Sequence, residues 1–245
     1  MYDKLADFYH LIFKNWDASI EYQSGVISKL LPRTDLPVLD CACGIGTQAI
    51  AAASLGYDIH ACDLSAAAAS RAKEEAQARG FAVRSWRDDM RHLSGALRQS
   101  FGTVLCFDNS LPHLDSDAEI SEALRAMRDR LVPGGTLLIS LRDYGPLMAT
   151  RPSMYGPVFH DDGHRRRIVH QVWSWRDQRR YDVGLFLTIS AANGQCDVHQ
   201  FDGGAYRAVT PQEVAGLAQC VGLREVDVLD PSETGFYQPI ILARA

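Results

Sequence analysis

An acid stands at the end of an apolar run in the stretch VLDCACGIGTQ, residues 38–48: Asp40 comes first, then small residues that include Gly44 and Gly46. Glycines at a strand exit let backbone approach a ligand closely, and a helix starting there offers unpaired N–H groups. A second acid, Asp63, closes the next apolar run, YDIHACD. Strand, glycine turn, helix and an acid about 20 residues on is the spacing of a nucleoside site, in which the acid accepts both ribose hydroxyls. The chemistry to expect is recognition of an adenosine-containing ligand.

What the loop lacks narrows that ligand. A dinucleotide fingerprint carries a third glycine where this chain has Ala49. No Gly-Lys-Ser/Thr end follows, so a triphosphate-gripping loop is absent. The Asp40 carboxylate would repel a pyrophosphate and welcome a cation. S-adenosylmethionine has an ammonium, a sulfonium and a ribose, and no phosphate.

The elements that must position these residues alternate. Strand-length apolar runs cover residues 37–42, 57–63, 81–90, 102–110 and 135–143, and helical spacing covers 17–33, 47–56, 64–80 and 116–135. Ser65 and Gly80 bracket the third of these helices as start and stop signals. Such alternation predicts βαβ units and a parallel sheet whose strand ends share one edge, where open α/β sheets bind ligands. Asp40, Asp63, Asp89, Asn109 and Arg142 all fall at those ends. After Asp143 the texture changes. A loop rich in Gly, Pro and aromatics (144–163) precedes three predicted antiparallel strands (165–178, 179–195, 196–209), with an Asn193-Gly194 turn between the last two. A helix (210–222) and two strands (223–230, 235–245) follow. The reading is one domain, 1–245: an N-terminal lid (1–35), a cofactor-binding core (36–142), a flap insertion (143–208) and a C-terminal helix and strands (209–245).

Composition bounds the partners. The chain has 245 residues, 47% hydrophobic, with a formal net charge of -5. It shows no basic footprint for nucleic acid, despite Arg165-Arg166-Arg167. No apolar run reaches membrane-spanning length, and the N-terminus lacks a signal-peptide pattern. Six cysteines, mostly inside predicted elements, read as reduced buried thiols of a cytoplasmic protein. Cys41-x-Cys43 has no second ligand pair, so no metal is expected.

The stretch from Val38 to Ser65 resembles the opening of class I S-adenosylmethionine-dependent methyltransferases. It is most similar to the glycine/sarcosine N-methyltransferase group, whose loop is of the D-x-A-C-G-x-G-x type: Asp40, Ala42, Cys43, Gly44 and Gly46 match. RDDM (87–90), DNSLPHL (108–114), LVPGG (131–135) and LRDY (141–144) match further. The resemblance implies a Rossmann-like α/β fold, with a mostly parallel seven-stranded sheet flanked by helices and an antiparallel flap after the fifth strand. It implies that Asp63 and Leu64 meet the ribose side, Asp89 and Met90 the adenine, and Ala42 and Gly44 the methionine part. Asp108, Asn109 and Leu111 would flank the transferring methyl, and Tyr9 would cover it.

For the acceptor, Asn109 and His113 are expected to hold a nitrogen, with His113 alternatively only capping a helix. Arg142 and Tyr144 match the family's carboxylate-binding pair, the alternative for Arg142 being an ion pair with Asp143. Gly145 replaces the acid that usually follows, and Pro112 a small residue. Tyr2 is a further lid candidate. Trp173 and Trp175 share one strand face; facing the cleft they would favour a flat acceptor, otherwise they are core. The expected activity is N-methylation of a small molecule, either a heterocyclic metabolite or an amino-acid-like amine such as glycine or sarcosine, leaving S-adenosylhomocysteine. Small-molecule O-methylation and a non-catalytic cofactor-binding module are the alternatives. The oligomeric state stays open between monomer and homo-oligomer.

Overall fold

The computed structural model describes residues 2–93, 99–163, 165–191 and 193–245, without the side chains of Tyr2 and Ala191. The chain opens with α1 (Tyr2–Leu5), a 3-10 turn (Tyr9–Ile12) and α2 (Trp16–Leu30). The Asn15 side chain caps α2 by accepting the Ala18 N–H at 3.0 Å. Then strands and helices alternate: β1 (Val38–Asp40), α3 (Thr47–Ser54), β2 (Ile59–Asp63), α4 (Ala66–Ala78), β3 (Val83–Arg87), β4 (Phe101–Cys106), α5 (Asp117–Asp129) and β5 (Leu131–Ser140). An insertion follows, made of α6 (Tyr144–Thr150), β6 (Met154–Asp161), β7 (Arg165–Trp175), β8 (Arg180–Ala191) and β9 (Cys196–Arg207). The chain ends with α7 (Pro211–Cys220), β10 (Arg224–Leu229), α8 (Pro231–Thr234) and β11 (Ile240–Arg244).

Seven strands form one sheet in the order β10-β11-β5-β4-β1-β2-β3. β11 runs antiparallel to both its neighbours, and the remaining pairings are parallel. β1 and β4 are buried along their whole length, as parallel strands covered on both faces must be. Alternation divides their side chains. Leu39, Val104 and Cys106 pack with α5 and α7, whereas Val38 and Leu105 pack with α2, α3 and α4. β1 pairs β2 on one side and β4 on the other, so the connections diverge at its tip and open a crevice there.

The insertion is a four-stranded antiparallel sheet, β6-β7-β8-β9. Its first strand is a correction to the sequence reading, which expects only a loop over 144–163. β6 is an edge strand exposed almost throughout, so it shows no alternation of apolar and polar residues. Its pairing with β7 shifts register between Tyr155 and Val158, around Gly156-Pro157. A proline is tolerated at such an edge irregularity. A second correction concerns the helix expected over 116–135. α5 ends at Asp129, and Leu131 already belongs to β5, where it pairs with Phe101 of β4. The N-terminal segment docks on the inserted sheet through Leu5, which packs with Val169, Leu185, Leu187 and Phe201. Among the described residues no helix is long and apolar enough to cross a membrane.

Candidate functional site

Four acids stand in a row at the tips of adjacent strands. Asp108 follows β4, Asp40 ends β1, Asp63 ends β2 and Asp89 comes two residues after β3. Beneath the inserted sheet these tips open on a cavity of about 410 Å³, whose lining includes Ala42, Gly44, Asp63, Asp89, Met90 and Asp108. Its size lies within the range of small-molecule sites. Leu64 lines it too and is otherwise exposed.

The glycine loop is shaped for this place. Gly44 has φ +51° and lines the cavity. Gly46 has φ +96° but serves packing: a Cβ there would lie 3.0 Å from the Cβ of Ala72, so the glycine lets α3 and α4 meet closely. Asp63 closes the loop from the next strand. Its carboxylate accepts the Gly44 and Ser65 N–H groups, each at 2.9 Å.

The electrostatics favour a cation. Asp40 is buried, and its Oδ2 has no hydrogen-bond partner. Burial, with Asp63 and Asp108 adding to it, pushes its carboxyl up to about 8. Burial also raises Asp63 and Asp108 above the usual carboxylate range. Asp89 differs. Arg91 grips it through Nη2 at 2.6 Å and Nε at 3.1 Å, and holds it below that range. Arg91 also reaches Glu119 at 2.7 Å, so its charge is already balanced.

The loop after β4 carries the acceptor side. Asp108 and Asn109 both have left-handed backbones, φ 58° and 67°. Two adjacent non-glycine residues of this kind persist only where the surroundings over-determine them. Ser140 does so: its Oγ accepts the Asp108 N–H at 2.8 Å and its carbonyl the Asn109 N–H at 3.1 Å. The sequence expectation that Asn109 holds an acceptor nitrogen meets a committed side chain, because its amide bonds Arg142 and Tyr144. Leu111 is fully buried in the 3-10 turn Leu111–His113 and packs in the core. The His113 ring lies 4.0 Å from that of Tyr206, lines the large cavity and is pushed down to about 4 by burial.

Arg142 lies two residues beyond β5, and the ion pair considered with Asp143 is not formed. Asp143 instead caps α6, accepting the Gly145 N–H at 3.1 Å. The guanidinium lies over the rings of Tyr155 (5.4 Å) and Trp173 (5.1 Å). Burial opposes its charge, and Tyr144, Tyr181 and Tyr206 outweigh that. Among the described residues no carboxylate forms an ion pair with it. Tyr144 is fully buried and shares a 2.9 Å hydrogen bond with the Tyr181 hydroxyl. Trp173 and Trp175 do share a face, but each stacks on Tyr181 at 4.7 Å, Trp173 inside the core and Trp175 half-buried against it. The side chain of Tyr2 lies outside the described residues.

A second cavity of about 180 Å³ lies between the N-terminal segment and the inserted sheet, walled by Leu5, Ile12, Val169, Leu185, Tyr155 and Tyr206 among others. Tyr9 and Gly203 line both cavities. Burial raises the Tyr9 hydroxyl above its ordinary value, so it is a neutral partition. Gly203 was not singled out by sequence reading, yet a Cβ there would lie 2.5 Å from the Val183 carbonyl oxygen. Gly203-Gly204 inside a strand was the available signal, since a glycine there marks a bulge or a close approach. The β8–β9 register shifts between Asp182 and Gly184, opposite Ala205 and Asp202.

Residues 38–135 match a family model described as a methyltransferase domain. The glycine/sarcosine N-methyltransferase of Halorhodospira halochloris is 26% identical over 140 residues, 54% of this chain and 52% of that protein. The match thus spans about half the length of that relative. The enzyme of the same name from Aphanothece halophytica is 28% identical over 185 residues, 70% of this chain and 68% of that protein. Among solved structures, S-adenosylmethionine-bound CalS10, an amino pentose methyltransferase from Micromonospora echinaspora, superposes with a TM-score of 0.69. It is 19% identical, over 96% of this chain and 94% of that one, so this likeness speaks for the fold.

Proposed function

We propose that this chain, whose residues 38–135 match a methyltransferase-domain model, carries out S-adenosylmethionine-dependent methyl transfer to a nitrogen of a small molecule. The observation that carries this reading is the row of strand-tip acids: Asp63, Asp89 and Asp108 line the large cavity, and Asp40 lies buried among them, lining neither cavity, with one oxygen unpartnered among the described residues. A cationic ligand without phosphate relieves that cluster, and a pyrophosphate would aggravate it.

Bound there, S-adenosylmethionine supplies a methyl group activated on a sulfonium. The protein's task is then to bind, orient and exclude water, since the cofactor carries the hard chemistry. Asp63 takes the ribose hydroxyls, Met90 and Asp89 the adenine end, and the backbone at Ala42 and Gly44 the amino-acid end. Tyr9 lines both cavities and would flank the methyl group between cofactor and acceptor. The acceptor nitrogen needs a free lone pair. His113, kept neutral by its surroundings, can accept a hydrogen bond from an acceptor N–H. Arg142 lines neither cavity but lies over Tyr155, which walls the second, and from there offers a planar fork to a carboxylate or similar group.

The acceptor class this favours is a small amino-acid-like amine. Trp173 and Trp175 would have favoured a flat heterocycle, but they stack on Tyr181 and line neither cavity. The small volume of the second cavity points the same way. The names of the two sequence relatives, both glycine/sarcosine N-methyltransferases, support nitrogen over oxygen.

The test is incubation with methyl-labelled S-adenosylmethionine and a panel of small amines, amino acids, heterocycles and phenols, read by mass spectrometry. Label transferred to an amine nitrogen is the expected result. Transfer to oxygen only would replace the reading by O-methylation, and tight cofactor binding without transfer to any acceptor would replace it by a sensing module.

A further inference from the structure

The C-terminal loop between α8 and β11 reaches the cofactor side of the sheet. Phe236 is buried against Phe107, with ring centroids 5.3 Å apart, and anchors the loop. Gln238 accepts a hydrogen bond from Ser140 Oγ at 3.0 Å, the same hydroxyl that accepts the Asp108 N–H. Between these anchors, the Tyr237 hydroxyl donates to Asp108 Oδ1. Gln48 Nε2 donates to the other oxygen, Oδ2, at 2.6 Å. Gln48 is itself steadied by Gln23, which accepts from Nε2 at 2.8 Å. One carboxylate is therefore fixed from two directions, on a left-handed backbone that Ser140 pins. Tyr237 as a residue is 55% exposed. It contributes little to the core, so a purely structural reason for its hydroxyl contact is weak.

The strand order says which end of the ligand meets Asp108. β2 and β4 flank β1, so the tips carrying Asp63 and Asp108 lie two strand spacings apart, about 10 Å. With the ribose on Asp63 and the base toward β3, the amino-acid end extends toward β4. We propose that Tyr237 is a positioning residue that aims the Asp108 carboxylate at the cofactor's ammonium group. This deepens the proposed function and rests on it. The residue lies outside the segment 38–135 that matches the methyltransferase model.

Titration calorimetry with two probes tests the assignment: S-adenosylhomocysteine, which has the ammonium, and 5′-deoxy-5′-methylthioadenosine, which lacks the amino-acid end. In Tyr237→Phe, affinity for the first falls about tenfold, as expected for a lost hydrogen bond to a charged group, and affinity for the second is unchanged. Asp108→Asn shows the same selectivity, and adding Tyr237→Phe to it costs nothing further. Equal weakening of both probes would reduce Tyr237 to a structural contact, and unchanged affinity for S-adenosylhomocysteine would remove its role. Failure of the unaltered protein to bind either probe would instead overturn the cofactor reading, and the proposal with it.

Discussion

The side-chain oxygen of Asn109 accepts the backbone N–H of Arg142 at 3.1 Å. Its amide nitrogen donates to the Tyr144 hydroxyl at 2.9 Å. Asn109 thus ties the loop after β4 to the exit of β5, and fixes where Arg142 leaves the sheet. Asn109→Ala removes both bonds and leaves a Cβ residue at φ 67° with no local compensation. Stability should fall by about 1–3 kcal/mol in urea denaturation, and the acceptor KM should rise more than the cofactor Kd.

Asp63 bonds two backbone N–H groups and lines the large cavity. Asp63→Ala should weaken S-adenosylhomocysteine binding by roughly ten- to a hundredfold, the loss of a charged acceptor for two hydroxyls. Calorimetry showing unaltered affinity would refute the ribose assignment.

Arg142 is a cation without a carboxylate partner among the described residues, held over Tyr155 and Trp173. Arg142→Met keeps much of the packing volume and removes the charge. Cofactor affinity should stay within about twofold, while the KM for a carboxylate-bearing acceptor rises at least about tenfold, the loss of a charge-assisted pair. Steady-state kinetics with an amine lacking the carboxylate should show no such change.

The buried acids make stability depend on pH. The carboxyl of Asp40 is raised from its unfolded value to about 8, so the folded protein binds its proton more tightly than the unfolded chain. Stability from this group is complete below the unfolded value and is lost as pH rises through the folded one. His113, pushed down to about 4, acts oppositely, but its contribution is already complete above its unfolded value near 6.5. Between about pH 6.5 and 8 the ligand-free protein should therefore lose stability as pH rises. Chemical denaturation across that window checks this, and Asp40→Asn should flatten the slope. Binding of a cationic ligand should oppose the loss, since it favours the ionised acids.

The alternating elements and their strand-end acids were legible because period and spacing are local properties. The β1 run, its glycine turn and Asp63 need only their own sequence to declare a strand, a tight turn and an acid in register. β6 was not legible. Its exposure at a sheet edge and its break at Gly156-Pro157 leave no alternation to read. The two tryptophans of β7 show the same limit from another side. Their shared face follows from strand geometry, but whether that face meets a ligand or Tyr181 depends on β8.

The sequence by itself determined the parallel core, the row of acids at its edge and the kind of ligand such a row attracts. Each of these is set by side-chain chemistry and short-range periodicity. Only the tertiary structure decided which groups remain available. Asp89 is held by Arg91 and Asn109 by its links to Arg142 and Tyr144, whereas one oxygen of Asp40 has no partner among the described residues. Tyr9 divides two cavities, and Tyr237 reaches Asp108 across 129 positions of chain. The physical reason is that hydrogen-bond capacity is shared among whatever groups the fold brings together, and no local pattern records that sharing.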